Sequence, residues 1–172
     1  MEVLDISTWE KDEDIYVSGS RKKFWFTKPG SEQKYLFKFP LKNTGEAWAE
    51  IVAARIGEHL GLTMSKMTLA RFEGTVGVLS ENFRSIDEEF FAGGDLFLEF
   101  CPDFDRESLD HYHVDMLFRV LTQYDLCASF IQVIIFDALI ANQDRHCDNW
   151  GVPVNRHGVH LAPIYDNGSS LG

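Results

Sequence analysis

The amino-acid sequence predicts an α+β chain with two lobes, on the evidence of its hydrophobic patterns and of one break between them. Residues 1–101 carry short aromatic and β-branched runs between turn signals, which are typical of strands, together with one main helix. Residues 102–172 carry apolar residues mainly at helical spacing. Pro102 lies at the break, where we expect a cleft because ligands commonly bind between lobes.

Composition limits the class of protein. A chain of 172 residues, 45% of them apolar, can bury the core of one or two small domains. Its longest nearly apolar run, Phe130–Ile140, is broken by Gln132 and Asp137 and is too short to cross a bilayer. The acidic stretch 1–14 has no secretory pattern, and three cysteines make no disulfide framework. A net charge of −11 disfavours direct nucleic-acid binding. We therefore expect a cytoplasmic protein that binds neither membrane nor nucleic acid.

Turn signals divide the start of the chain into strands. Asp14–Val17 and Lys23–Thr27 flank the turn Ser18-Gly19-Ser20 and predict a hairpin. Tyr35–Phe39 predicts a third strand, which Pro40 ends.

One amphipathic helix is predicted from Glu46 onward. Thr44 is a candidate N-cap, and Gly61 is placed to end the helix at its C′ position. The apolar residues that share one face of this helix are Trp48, Ile51, Val52, Ile56 and Leu60.

The remaining elements follow from the same patterns. Thr68–Phe72 and Thr75–Leu79 predict two strands around a Glu-Gly turn, and residues 84–94 predict a loop or a short helix. Asp95–Phe100 predicts the last strand of the first lobe. The second lobe is predicted to contain helices Val114–Tyr124 and Ser129–Ala141 and a hairpin of Trp150–Val154 with Val159–Ala162.

A small-residue loop early in the chain is a candidate phosphate site. Ser18-Gly19-Ser20 is followed by the cations Arg21, Lys22 and Lys23, and such a loop can bind phosphate through backbone N–H groups and positive charge. A solvated hairpin turn explains the same residues.

Polar residues directly after the most apolar helix are candidates for metal chemistry. Asp144 and Asn149 stand in a D-x-x-x-x-N pattern, the spacing by which a kinase catalytic loop places a base at the acceptor hydroxyl and an amide oxygen on Mg²⁺. Asp166 adds a second oxygen ligand of the kind that Mg²⁺ prefers. A helix C-terminal turn is the alternative for Asp144 and Asn149.

Histidines near the same loop raise the alternative of zinc. His146 would act with His157 and His160, but Cys147 directly beside His146 gives poor ligand spacing. We therefore interpret His146 as orienting the loop. Cys147 is interpreted as a packing residue because no separate base is indicated for it.

Taken in order, these segments resemble the HipA-like serine/threonine kinases (the HipA C-terminal domain and CtkA-type proteins), which are related in fold to the phosphoinositide 3/4-kinases. The resemblance implies a protein-kinase-like fold with a β-rich N-lobe and a helical C-lobe. It is carried by residues 139–151 and 161–171, the loop 18–23, the strand 35–38 and the helix 46–62.

The resemblance also implies roles for individual residues. Asp144 would be the catalytic base, and Asn149 and Asp166 would hold Mg²⁺ beside ATP. The activity implied is ATP- and Mg²⁺-dependent phosphoryl transfer to a serine or threonine hydroxyl of a protein substrate, with Ser18 or Ser20 as candidate autophosphorylation sites. An antitoxin or another regulatory protein would be a further partner.

The nucleotide contacts are implied in the same way. Lys38 would contact the α- and β-phosphates, and Glu50 would be its partner, with Glu46 as the rival. Taken alone, Lys38 would be interpreted as reaching the surface and Glu50 as an exposed helix residue. The other implied contacts are the phosphate loop, Ser18, Gly19, Ser20 and Arg21, and the backbone at Glu99 and Cys101 for the adenine.

One departure from the family affects activity. The chain ends at Gly172, whereas these kinases continue with several helices, so we expect a truncated C-lobe and an exposed apolar patch on the helix that contains Phe130–Ile140. Two alternatives therefore stay open. One is a kinase-like module that binds nucleotide or a partner without catalysis, and the other is a lipid or small-molecule kinase on the same fold.

Overall fold

The computed structural model describes residues 2–12 and 22–172. The predicted strand Asp14–Val17 and the loop of Ser18, Gly19, Ser20 and Arg21 lie outside the described residues. Within them, the chain forms β1 (Leu4–Asp5), β2 (Glu10–Asp12), β3 (Lys23–Thr27), β4 (Lys34–Lys38), α1 (Glu46–His59), β5 (Met67–Phe72), β6 (Thr75–Glu81), β7 (Glu89–Ala92), α2 (Gly93–Phe100), α3 (Val114–Thr122), α4 (Cys127–Ile140), β8 (Gly151–Asn155) and β9 (Gly158–Val159).

The first half of the chain builds a six-stranded sheet in the order β1-β5-β6-β4-β3-β2. Only the β1–β5 pair is parallel among the described strands of this sheet. Phe26 and Phe37 are fully buried and pack edge to face on one side of the sheet. The other side packs on α1, where Ile51 contacts Met67 and Val78. Because side chains alternate along a strand, Phe37 faces the aromatic layer while its neighbour Lys38 faces the α1 side.

Helix α1 confirms the predicted helix, but its buried face and its N-cap differ from the prediction. Trp48 and Leu60, predicted on the buried face, are 48% and 54% exposed, because close packing selects the small residues beside Ile51. The buried residues are Ala49, Glu50, Ile51, Ala53, Ala54 and Gly57.

Gly45 is the N-cap of this helix, and the Thr44 hydroxyl donates to the carbonyl of Leu41, 2.9 Å away, within its own turn. Such local side-chain bonds compete with capping of a helix. Gly61 follows the helix with a φ of +78°, the left-handed conformation expected at C′.

The second half of the chain builds a three-stranded sheet, β7-β8-β9, against the other helices. The predicted hairpin after Trp150 is confirmed as β8 and β9, and the predicted helices are confirmed as α3 and α4. β7, which pairs with β8, replaces part of the predicted loop at residues 84–94. The core here joins α2, α3, α4 and β8 through residues that include Phe97, Leu121, Phe130 and Val152, together with Trp150 directly before β8.

The predicted strand Asp95–Phe100 is wrong, because these residues belong to helix α2. Asp95 accepts a hydrogen bond from the Ala92 N–H at 2.8 Å and so satisfies one donor of the first turn. Gly93 lets the helix start against the Trp150 indole, since a Cβ there would collide with the ring. A short apolar run does not by itself distinguish a strand from a buried helix, and tertiary packing decided this one.

The packing of β7 and α2 bears on the division of the chain. Both contact the helical half, β7 through β8 and α2 through the core around Phe97. These contacts group β7 and α2 with the helical half and so favour a boundary before Glu89. The predicted division of the chain after residue 101 remains a prediction.

Helix α4 has one buried and one exposed apolar face. Phe136 and Ile140 are buried in a cluster with Ala53 of α1 and with Ile164, so this cluster joins the two halves of the molecule. The predicted apolar patch is present on the opposite face: Ile131, Ile134, Ile135 and Leu139 are between 38% and 63% exposed. Across the part of the chain that the structure describes, no helix combines the length and apolar character needed to span a membrane.

Candidate active site

A cavity of about 370 Å³ lies between the six-stranded sheet with α1 on one side and two loops of the helical half on the other. One loop follows α4, and the other follows β9. Lys38, Glu50, Asp144, Asn149 and Asp166, which come from four separate stretches of the chain, all line this cavity.

Lys38 lies at the end of β4, directly opposite Val78 of β6. Its side chain is only 18% exposed, and its Nζ lies 3.3 Å from Glu50 Oε1 and 2.9 Å from Asp166 Oδ1. Lys38 therefore connects the sheet, α1 and the loop after β9 in one charged group.

Glu50 is the glutamate of α1 that pairs with Lys38. It is 3% exposed, and its second oxygen accepts the Asn167 N–H at 3.0 Å. Glu46 lies one turn earlier and also lines the cavity, where its carboxylate accepts the Leu41 N–H at 3.1 Å. The two glutamates thus have different partners, and the contact with Lys38 belongs to Glu50.

Burial and charge act in opposite directions within this cluster. Burial alone would lower the pKa of Lys38, but the carboxylates of Glu50 and Asp166 outweigh it and raise that pKa above its usual value. Burial raises the pKa of Glu50 more than Lys38 lowers it. Burial also acts to raise the pKa of Asp166, yet the Lys38 ammonium leaves that pKa below its usual value. Lys38 and Asp166 are therefore a charged pair at neutral pH.

Asn149 is fixed in the loop after α4. It is 5% exposed, and its Nδ2 donates to the backbone carbonyl of Asp144 at 2.6 Å. Its Oδ1 accepts no hydrogen bond from the residues that the structure describes. The amide nitrogen is thus engaged and the amide oxygen is available as a ligand. Asp144 itself lines the cavity and is exposed to solvent.

Asp166 is placed by its neighbours rather than by a helix or strand. Ile164 donates to the Thr63 carbonyl at 2.8 Å and accepts from the Ser65 N–H at 3.0 Å, which fixes the segment before Asp166. Asp166 then adopts a φ of +58°, a conformation that aspartate tolerates better than most residues. Asn149 and Asp166 both line the cavity, where they offer an amide oxygen and a carboxylate. These are hard oxygen donors, which fit Mg²⁺.

The structure gives little support to the alternative of a zinc site at His146. His146, Cys147 and Asp148 place ligand atoms within 4.8 Å of one another, while His157 and His160 are not part of that group. Burial, reinforced by the charge of Asp148, raises the pKa of Cys147 to about 11. Because a thiol must lose its proton to bind a metal, this group is poorly suited to zinc.

Two predicted adenine contacts, Glu99 and Cys101, do not line the cavity. Glu99 lies on α2 and accepts a hydrogen bond from the Tyr124 hydroxyl at 2.6 Å, and Cys101 caps the end of that helix. Neither residue lines the cavity, because the segment is a helix of the second half rather than a strand between the lobes. Ser18, Gly19, Ser20 and Arg21 cannot be placed, since they lie outside the described part of the chain.

Several lining residues were missed in the sequence. Leu36, Val78 and Tyr165 add apolar surface to the cavity. The position of Leu36 could have been found, because it lies two residues before Lys38 on the same strand and so shares its face. Val78 could not, since only the strand pairing places it opposite Lys38.

Comparisons with known proteins agree with this architecture. The model of the HipA-like C-terminal domain matches residues 15–171, and the chain belongs to this family. The serine/threonine-protein kinase CtkA of Helicobacter pylori strain J99 is 26% identical over 159 residues, which are 82% of this chain and 48% of that protein. The chain therefore spans about half the length of this curated relative.

Solved structures show the same fold. The crystal structure of a Helicobacter pylori proinflammatory kinase CtkA superposes with a TM-score of 0.83 at 22% identity, covering 99% of this chain and 61% of that one. A toxin–antitoxin structure of HipA, HipB and operator DNA from Shewanella oneidensis MR-1 superposes with a TM-score of 0.61 at 17% identity, covering 89% of this chain and 43% of that one. The predicted protein-kinase-like fold and family are confirmed.

Proposed function

We propose that this chain carries the nucleotide-binding and catalytic centre of an ATP- and Mg²⁺-dependent serine/threonine protein kinase. The observation that supports the proposal most strongly is the convergence of Lys38, Glu50, Asp144, Asn149 and Asp166 on one cavity. Family membership agrees with it, and so does the similarity to a relative named as a serine/threonine kinase.

The sheet side of the cavity would bind the nucleotide. Lys38 offers a compact positive charge to the phosphates, and its contact with Glu50 holds that charge in place. The apolar surfaces of Leu36, Val78 and Tyr165 would contact the base. Ser18–Arg21 would form the phosphate loop, as the small residues and the positive charge in this part of the sequence indicate.

The loop side of the cavity would hold the metal and the acceptor. Asn149 and Asp166 would bind Mg²⁺, which when bound neutralises charge on the phosphates. Asp144 would accept the proton of the acceptor hydroxyl as the γ-phosphoryl group is transferred. The hydrogen bond from Asn149 Nδ2 to the Asp144 backbone carbonyl would hold the backbone of the proposed base close to the proposed metal ligand.

Substrate and partners are proposed more broadly. The acceptor would be a serine or threonine of a protein or of this chain itself, with Ser18 and Ser20 as the first sites to map. A regulatory protein is proposed because a structurally similar protein occurs in a toxin–antitoxin complex. The reducing, cytoplasmic setting remains a prediction from the cysteine content.

Phosphotransfer from labelled ATP is the direct test. The purified chain would be incubated with Mg²⁺, alone and with a cell lysate, and labelled protein would be measured. Asp144→Asn should lower labelling by a factor of about 100 or more, because a positioned general base contributes that much. Asp103→Asn, which changes an exposed carboxylate away from the cavity, is the matched control and should leave labelling unchanged. Equal labelling by wild type and Asp144→Asn would refute the enzymatic proposal.

A second candidate is a kinase-like module that binds nucleotide without turnover. The observation that favours it is the exposed apolar face of α4, at Ile131, Ile134, Ile135 and Leu139, because such a face is typical of a surface that binds a partner. Thermal unfolding with and without ATP and Mg²⁺ separates the two, since a ligand that binds the folded state raises the melting temperature. A shift in melting temperature without phosphotransfer would support the second candidate.

A further inference from the structure

A buried ion pair contacts the two loops that carry the proposed metal ligands. Asp137, on the otherwise apolar helix α4, and Arg145, next to the proposed base, have side chains that are 11% and 10% exposed. Arg145 Nε donates to Asp137 Oδ2 at 2.9 Å, and Nη2 donates to Asp137 Oδ1 at 2.8 Å. The two parallel bonds fix the plane of the guanidinium relative to α4.

The same guanidinium reaches both loops that carry the metal ligands. Arg145 Nη1 donates to the backbone carbonyls of Asn149 and Tyr165, each at 2.7 Å. The first carbonyl belongs to a proposed ligand, and the second belongs to the residue immediately before Asp166. Nη2 also donates to Asn167 Oδ1 at 2.6 Å, on the other side of Asp166. Five hydrogen bonds from one side chain thus connect α4, the loop after α4 and the loop after β9.

Asn167 extends this network to the sheet side of the cavity. It is fully buried, its side-chain oxygen accepts from Arg145, and its backbone N–H donates to Glu50. Glu50 in turn contacts Lys38. Asn167 therefore adds a second link, beside the direct contact of Lys38 with Asp166, between the proposed phosphate contact and the proposed metal ligands.

We propose that the Asp137–Arg145 pair is a positioning device that sets the separation between Asn149 and Asp166 and thereby the metal affinity of the site. This inference rests on the proposed function, since the separation matters only if both residues bind one cation. Arg145 acts through the two loops and touches neither ATP nor the acceptor.

The chemistry of the pair favours positioning over stability. Two buried charges must lose their hydration, and apolar replacements of similar size are often neutral or stabilising. An arginine is needed because a lysine has one nitrogen, which cannot hold a carboxylate in two parallel bonds while it donates to carbonyls on two loops. The hydrogen-bond geometry therefore requires the guanidinium, whereas charge neutrality alone does not.

Metal dependence of nucleotide binding is the first test. Arg145→Lys keeps the charge, and Arg55→Lys, at an exposed arginine that contacts Glu58, is the matched control. A fluorescent ATP analogue would be titrated with Mg²⁺ and, separately, with EDTA. Arg145→Lys should raise the Mg²⁺ concentration for half-maximal binding by about tenfold, because loss of a residue that orients metal ligands typically weakens metal binding by that much. Binding of the analogue in EDTA should be unchanged. An unchanged Mg²⁺ requirement would overturn the proposal.

Hydrogen exchange is the second test, and it does not depend on activity. Amides of residues 144–150 and 164–170 should exchange faster together in Arg145→Lys, while those of β4 and β6 keep their rates. Acceleration of one loop alone, or of neither, would overturn the proposal. Asp137→Asn, which has the same shape but lacks the charge, should give the same joint acceleration and replaces Arg145→Lys if that variant does not fold. Failure of the wild type to bind ATP or transfer phosphate would refute the proposed function, whereas the exchange data would still decide the role of the pair.

Discussion

Asp166 shows how a single residue combines conformation and charge in this site. Its positive φ turns the chain between Ile164 and Asn167, both of which are anchored, and its carboxylate meets Lys38 at 2.9 Å. No helix or strand of the described chain contains Asp166, so this contact acts together with the anchors at Ile164 and Asn167 to hold the loop.

The lowered pKa of Asp166 predicts a pH-dependent contribution to stability. A carboxylate whose pKa is lower in the folded state stabilises the fold at pH values above the ordinary 3.8, and this contribution is lost as the pH falls through the lowered value. The difference in unfolding free energy between wild type and Asp166→Asn should therefore be largest near neutrality and shrink towards acid pH. Urea unfolding in EDTA measures it, and a difference independent of pH would contradict the assignment.

Tyr112 gives a prediction on stability alone. Its hydroxyl donates to the Arg145 carbonyl at 3.1 Å and accepts from the buried Trp150 Nε1 at 3.0 Å. Tyr112→Phe should lower the unfolding free energy by about 1–3 kcal/mol, because it leaves the indole N–H without a partner. The control is Tyr124→Phe, which removes a hydroxyl bonded to the exposed carboxylate of Glu99 and should have a smaller effect. Equal losses in the two variants would show that burial of the partner is not the cause.

Among the helices and strands, α4 is unusual because it is apolar on nearly every side. Its inner face joins α1 to the loop that carries Asp166, through the cluster of Ala53, Phe136 and Ile164. Its carboxyl end, at Ala141 with a φ of +53°, starts the loop that carries Asp144 and Asn149. The helix therefore positions both loops that carry the proposed metal ligands, while its outer face stays exposed.

Two neighbouring residues of α4 should respond very differently to truncation. Phe136 is 1% exposed and Ile135 is 63% exposed. Phe136→Ala should cost about 3–5 kcal/mol of unfolding free energy by leaving a cavity, whereas Ile135→Ala should change it by at most about 0.5 kcal/mol. Urea unfolding followed by circular dichroism compares the two. A large loss for Ile135→Ala would mean that the outer face is covered in solution.

At the scale of the whole molecule, the net charge of −11 works against compactness. Like charges repel one another across the folded surface, and salt screens that repulsion. The melting temperature should therefore rise when sodium chloride is increased from about 20 to about 300 mM, which shortens the screening length severalfold. A fall in melting temperature would indicate that attractive pairs such as Lys38–Asp166 dominate the electrostatic balance.

Elements with a local pattern could be predicted without the folded structure. Strand β3, helix α1 with Gly61 after it, and the hairpin of β8 and β9 each follow from periodicity or turn chemistry within a few residues. The D-x-x-x-x-N spacing also identified Asp144 and Asn149 as candidates, because a short loop carries both.

Tertiary structure decided what depends on contacts between distant segments. The helix at Asp95–Phe100 starts where Gly93 packs on Trp150, and it buries Leu96 and Phe97 against residues from distant parts of the chain. Arg145 connects Asp137 to two loops because of an orientation that no local pattern records. The choice of Glu50 over Glu46 as the partner of Lys38 came from the family resemblance, and the folded chain shows the contact. Local periodicity reports which face of an element is buried, while the partner on that face is known only once the chain has folded.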